Sequence, residues 1–206
     1  MVNEHRNIVT FYGFCMDKNE MCLVFEWADK GDLRNFLANK VLDWPQRYKI
    51  ASEIAFGLKY IHNKDIVHPL ENVLVHGDGR MMITDFGVSK PLDATFNQCQ
   101  YGMAAYIDPL CIINSQRPKT FKSDIYSYGV LLWEISSARV PFDGTPCLTI
   151  LIEVSFGKRE SPVEGTPSDY EYLYQQAWHE NDSIRPSIDE ILETLQISLN
   201  NQLSTA

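Results

Sequence analysis

Between Ile125 and Ser136 the chain reads Ile-Tyr-Ser-Tyr-Gly-Val-Leu-Leu-Trp-Glu-Ile-Ser, a helical stretch that is apolar almost all round. A helix with one apolar stripe can lie on a surface, but one that is apolar on every side must be enclosed by other elements. Ser123-Asp124 just before it supplies a helix-capping start. The segment therefore predicts a fold in which one central helix is surrounded by the rest of the chain.

The surrounding elements can be read from periodicity and turn chemistry. Ile8 to Cys15 and Met21 to Trp27 are β-rich runs separated by the polar Asp17-Lys18-Asn19-Glu20, which predicts a hairpin. Gly31-Asp32 opens a short helix through Leu33, Phe36 and Leu37. Pro45 stands in the first turn of a longer one carrying Ile50, Ile54, Leu58 and Ile61. Val73-Leu74-Val75 and Met81-Met82-Ile83 flank Gly77-Asp78-Gly79, a second hairpin signal. The stretch from Ser89 to about Phe121 lacks periodicity and is expected to be a long loop. Pro186 opens a last helix with Ile188, Ile191, Leu192, Leu195 and Leu199 on one stripe. Two strands followed mainly by helices give an α+β or mostly α domain.

Composition removes several classes of function. With 18 basic against 27 acidic residues the net charge is −9, which argues against nucleic acid or an anionic membrane as a main partner. Five scattered cysteines without a C-x-x-C pair suit reduced thiols better than a disulfide or zinc framework. The five histidines show no metal-ligand spacing. The start of the chain is too polar for a signal peptide, and the run Val130 to Trp133 ends at Glu134, far short of a membrane span. A cytoplasmic location is the expectation.

Several short motifs then occur in a fixed order. They are His5-Arg6-Asn7-Ile8-Val9, Val24-Phe25-Glu26-Trp27-Ala28, His68 with Asn72, and Asp85-Phe86-Gly87. Tyr106-Ile107-Asp108-Pro109, Ser123-Asp124-Ile125-Tyr126-Ser127-Tyr128-Gly129 and Arg185-Pro186 follow. Any one of them is a weak signal. The ordered set resembles a protein kinase domain of the tyrosine-kinase-like group of Ser/Thr kinases, from the fourth strand of the small lobe to the last helix of the large lobe. The resemblance implies a kinase-like α+β fold, with a two-strand remnant of the small β lobe over residues 1–27 and a mostly helical large lobe over 28–206.

Carried onto this sequence, the resemblance makes Phe25 the gatekeeper and turns the Glu26 carbonyl and Ala28 amide toward an adenine ring. Leu74 joins them as a nucleotide contact. Asn72 and Asp85 become the magnesium ligands, so ATP and magnesium are the implied cofactors. Asp124, beyond capping a helix, would accept backbone hydrogen bonds from the catalytic loop. His68 would be a packing histidine.

The departures from the pattern carry the mechanistic expectation. The family loop H-R-D-L-x-x-x-N separates its His and Asn by seven positions; here His68 and Asn72 are four apart, and the Arg and the catalytic Asp are missing. Removing three residues shortens the reach of the loop by about 10 Å. Glu71 is the only carboxylate between His68 and Asn72 and is the candidate substitute base, if it can come within hydrogen-bonding distance of a hydroxyl. No Gly-rich phosphate loop and no V-A-I-K lysine are present. Phosphorylation at Thr95 or Tyr101 would lack the docking Arg. Leu110 stands where the family carries the Glu that pairs with the Arg matching Arg185, so Arg185 needs another acceptor, with Asp108 and Asp182 the candidates. ATP binding is expected to be weak or absent.

Three functional readings follow. The first is a pseudokinase that acts by binding a protein partner. The second is a fragment or faulty gene model of an active ATP-dependent Ser/Thr kinase. The third is a nucleotide-binding switch without turnover.

Overall fold

The computed structural model describes residues 5–18, 20–85 and 103–204. Strands β1 (Phe11–Asp17) and β2 (Glu20–Phe25) form an antiparallel hairpin, with Lys18 at φ 46° in its turn. Helix α1 (Leu33–Ala38) follows, capped by the Asp32 side chain, which accepts from the Asn35 N–H. Helix α2 (Trp44–His62) begins with a capping box between Asp43 and Gln46, with Pro45 in the first turn as expected. Strands β3 (Val73–Val75) and β4 (Met81–Ile83) make the second hairpin.

After a 3-10 turn (Met103–Tyr106) come α3 (Pro109–Ile113), α4 (Phe121–Ser137), α5 (Cys147–Ser155), α6 (Ser168–Ala177) and α7 (Ile188–Ser204). This is the kinase-like arrangement that the motif order implied, largely helical with two small sheets. The stretch read as one long loop is not irregular throughout. Its first part lies outside the described residues, but the 3-10 turn and α3 occupy its second half, α3 being nucleated by Asp108, whose side chain accepts from the Leu110 N–H.

The central helix is α4, in which every residue from Ser123 to Ser136 is buried. It lies against α2 on one side and α6 on the other, and α7 packs on α2. The helix starts four residues earlier than the sequence suggested. Thr120 is its N-cap, so Asp124 sits inside the first turn rather than at its mouth. Gly129 permits the close approach to α6: a Cβ there would lie 2.8 Å from the Trp178 nitrogen and 2.9 Å from the Ala177 Cβ.

The first hairpin is attached to the helical body through its base. Val9 N–H donates to the Ile83 carbonyl and Ile83 N–H to the Asn7 carbonyl, both at 2.9 Å, so Ile8 runs parallel to β4 as a third, short strand. Arg80 grips the hairpin from below, donating to Glu26 and to the Arg6 carbonyl. Beyond that base the ribbon projects Phe14, Met16, Met21 and Leu23 into solvent.

Cys15, Cys22 and Cys111 are free thiols. Cys147 is disulfide-bonded, which departs from the expectation of reduced cysteine throughout.

Candidate functional site

The shortened loop between His68 and Asn72 is held from beneath by α4. Asp124 Oδ2 accepts from the His68 N–H and from His62 Nε2, each at 2.9 Å. One helical turn further on, Ser127 Oγ accepts from the Leu70 N–H at 2.9 Å. Leu70 is fully buried, so the middle of the loop points into the core instead of toward a substrate. The ends of the loop are tied to the strand that precedes Asp85. His68 Nε2 donates to the Thr84 carbonyl at 3.0 Å, and Thr84 N–H donates to the Asn72 carbonyl. Burial lowers the pKa of His68 from the ordinary 6.5, against the opposing pull of Asp124 and the Thr84 carbonyl. His68 is thus a packing histidine, as the resemblance implied, and Asp124 is the acceptor that it predicted.

Asn72 Nδ2 meets Asp85 Oδ2 at 3.3 Å, and Asp85 sits at φ 67° with its carboxylate exposed. An exposed carboxylate beside an amide offers hard oxygen donors, which suit magnesium. No group of three or more His, Cys, Asp and Glu side chains is placed to hold a metal among the described residues.

Glu71, Asn72 and Leu74 line one cleft of about 340 Å³, together with Asp32, Tyr106 and Glu134. Glu134 was missed in the sequence, although a lone charge in an apolar helix is itself a signal that a partner must be present. It is buried and accepts from Arg34 at 2.6 and 3.2 Å and from the Tyr106 hydroxyl. Burial and the Glu134 charge hold the Tyr106 hydroxyl well above its usual value, so it remains a donor. Burial opposes the charge on Arg34, but hydrogen bonding to Glu134 and the attraction of its charge outweigh that and raise its pKa. Ser127 was also missed, because a small hydroxyl inside a helix carries no sequence signal of its own.

The hinge residues lie apart from that cleft. Phe25 is about half exposed, with its ring centroid 5.2 Å from that of Phe11. The Glu26 carboxylate turns to Arg80 and to Thr10, whose hydroxyl donates at 2.9 Å. Although burial pushes the other way, those hydrogen bonds lower its pKa. Neither the Glu26 carbonyl nor the Ala28 N–H makes a backbone hydrogen bond outside the strand ladders among the described residues. Phe86 and Gly87 of the Asp-Phe-Gly motif, and Thr95 and Tyr101, lie outside the described residues.

Arg185 has found the acceptor that Leu110 cannot provide. Its guanidinium forks onto Asp108, Nη1 to Oδ2 at 2.7 Å and Nη2 to Oδ1 at 2.9 Å. Nε donates to the His179 carbonyl and Nη1 also to the Lys122 carbonyl, each at 2.8 Å. Asp182, the other candidate, pairs with Arg117 instead. Leu110 lines a separate groove of about 400 Å³ with Ile113 and Val154.

Comparison with known proteins agrees with this architecture. Residues 1–195 match the model of the protein tyrosine and serine/threonine kinase family. The chain belongs to that family. It is 32% identical to mitogen-activated protein kinase kinase kinase 13-A of Xenopus laevis, over 98% of this chain and 21% of that protein. It is 28% identical to the probable serine/threonine-protein kinase drkD of Dictyostelium discoideum, over 93% of this chain and 15% of that protein. With the serine/threonine/tyrosine-protein kinase HT1 of Arabidopsis thaliana it shares 28% identity, covering 93% of this chain and 51% of the relative. The chain thus spans about half or less of the length of these relatives. The family as a whole uses ATP and magnesium.

Proposed function

We propose that this chain is a kinase-like domain of the tyrosine-kinase-like group that does not transfer phosphate and acts in the cytoplasm by binding protein. The observation that carries this reading is the loop from His68 to Asn72. Its central residue, Leu70, is buried and anchored to Ser127, and no aspartate stands between the two ends. Phosphoryl transfer depends on positioning and charge stabilisation, with a base within hydrogen-bonding reach of the attacking hydroxyl. Glu71 lines the cleft, and no lysine lines it with Glu71 among the described residues. Asn72 and Asp85 would hold magnesium, which would supply charge neutralisation at a bound phosphate; the chain's own residues there can bind but lack the base that completes transfer.

Binding of protein is supported by apolar side chains that the large lobe leaves uncovered. Leu148 and Ile152 in α5 and Phe156 at its C-cap recur every fourth residue, and all three are exposed. Exposed apolar patches of this kind mark interaction surfaces. No helix among the described residues is long and apolar enough to cross a membrane.

Purified chain given radiolabelled ATP and magnesium is expected to label neither itself nor generic substrates. Turnover abolished by Asp85→Ala would overturn the reading, and turnover abolished by Glu71→Ala would identify the substitute base. A second reading, nucleotide binding without turnover, is favoured by the Asn72–Asp85 pair. It predicts a magnesium-dependent thermal shift with millimolar ATP that disappears in Asp85→Ala. Under the first reading that shift is small or nil.

A further inference from the structure

Cys15 and Cys22 face each other across the first hairpin. The register pairs Phe14 with Leu23, Cys15 with Cys22, Met16 with Met21 and Asp17 with Glu20. Directly opposed residues of an antiparallel pair project their side chains to the same face, with Cα atoms about 4.5 or 5.5 Å apart according to the rung. A disulfide requires roughly 4.4–6.8 Å between Cα atoms, and both rung spacings fall within that range. Both thiols are free, Cys15 exposed and Cys22 half-buried, with its Sγ 3.9 Å from the Glu20 carbonyl. The next rung on the same face toward the body contains Gly13, around whose missing Cβ lies open space. A reagent can therefore reach the pair from the side.

We infer that Cys15 and Cys22 form a reversible dithiol–disulfide site, modified by exchange with small-molecule disulfides such as oxidised glutathione. The exposed Cys15 thiolate attacks one glutathione sulfur; the glutathione S–S bond breaks, a mixed disulfide forms and one glutathione thiolate leaves. The Cys22 thiolate then attacks Cys15 Sγ, forming the intramolecular bond and expelling the second glutathione thiolate. The two protons given up by the cysteines end on the two glutathiones, so one dithiol is oxidised and one disulfide reduced. The bond staples a ribbon that stands largely on its own, and two-stranded hairpins are only marginally stable alone. Because β2 leads directly into Glu26 and Ala28, the staple also stiffens the hinge segment.

The test uses the whole chain in glutathione buffers of graded redox ratio, quenched by alkylation and digested with trypsin, which cuts between the two cysteines after Lys18. The expected product is a Cys15 peptide disulfide-linked to a Cys22 peptide, reversed by dithiothreitol. Its fraction should follow the squared reduced-glutathione to oxidised-glutathione ratio. C15S and C22S should each yield a mixed glutathione disulfide at the remaining thiol. In denaturing urea the equilibrium for linkage should weaken at least tenfold, because the register that opposes the thiols is then gone. Amide exchange over Phe11–Phe25 should slow at least tenfold on oxidation. Two separate glutathione adducts in the wild type, a link between two chains, or undiminished linkage in urea would each overturn the inference. Unchanged amide exchange would overturn the stapling.

Discussion

Replacing Asp108 by asparagine tests the clearest compensation in the fold. The Arg185 side chain has no solvent exposure and that of Asp108 has 3%, so water cannot take over the lost partner. The substitution keeps the shape of Asp108 and removes its charge, leaving a guanidinium supported by the Lys122 and His179 carbonyls and by the Tyr126 ring 5.2 Å away. Breaking a buried ion pair by removing one partner costs about 3–5 kcal/mol. Against a total stability of about 5–15 kcal/mol that is a large fraction. For a chain of this length it corresponds to a fall in Tm of roughly 6–20 °C. Urea denaturation monitored by tryptophan fluorescence, with thermal melts alongside, measures it directly.

The same reasoning makes a second, opposed demand. Leu110→Glu in the wild type should show near-zero coupling to Arg185, because the guanidinium is already paired. In the Asp108→Asn background the same substitution should recover part of the loss by returning a carboxylate to the family position. A double-mutant cycle separates these cases. A cost for Asp108→Asn below about 1 kcal/mol, the level of a surface pair, would refute the argument. So would strong stabilisation of the wild type by Leu110→Glu that requires Arg185.

Three further outcomes are expected. Ser127→Ala removes the acceptor of the buried Leu70 N–H and should cost about 1–3 kcal/mol, with faster amide exchange at Leu70 as the local readout. Gly129→Ala forces α4 and α6 apart by overpacking and should cost about 1–3 kcal/mol in denaturant titration, whereas a neutral result would mean that the helices separate freely. Burial lowers the pKa of His68 and of His5 below the ordinary 6.5, so just below that pH the unfolded chain binds protons that the folded chain refuses. Stability should accordingly be full above pH 6.5 and fall as pH drops beneath it, and His68→Gln should flatten that fall in unfolding titrations from pH 7.5 to 5.

The sequence by itself determined the elements and their order, because the signals involved are local. Period-3.6 apolar stripes, the Gly-Asp-Gly turn, Asp32 and Asp43 as caps and Pro45 in a first turn all act within a few residues, and the helices and hairpins form where those signals stand. The three positions missing between His68 and Asn72, and with them the catalytic Asp, were equally legible, since loop length is counted along the chain. The start of α4 was misplaced because Ser123-Asp124 has the chemistry of a cap, while burial recruits Asp124 to hold the His68 loop and leaves capping to Thr120. Only the tertiary structure decided the charge pairings. Arg185 bypasses Asp182, three residues away, for Asp108, 77 residues away. Glu26 turns from the hinge to Arg80 across 54 residues, and Glu134 draws in Arg34 across 100. A charge removed from water must be met by whatever partner the fold brings within reach, and that distance is set by packing rather than by spacing along the chain.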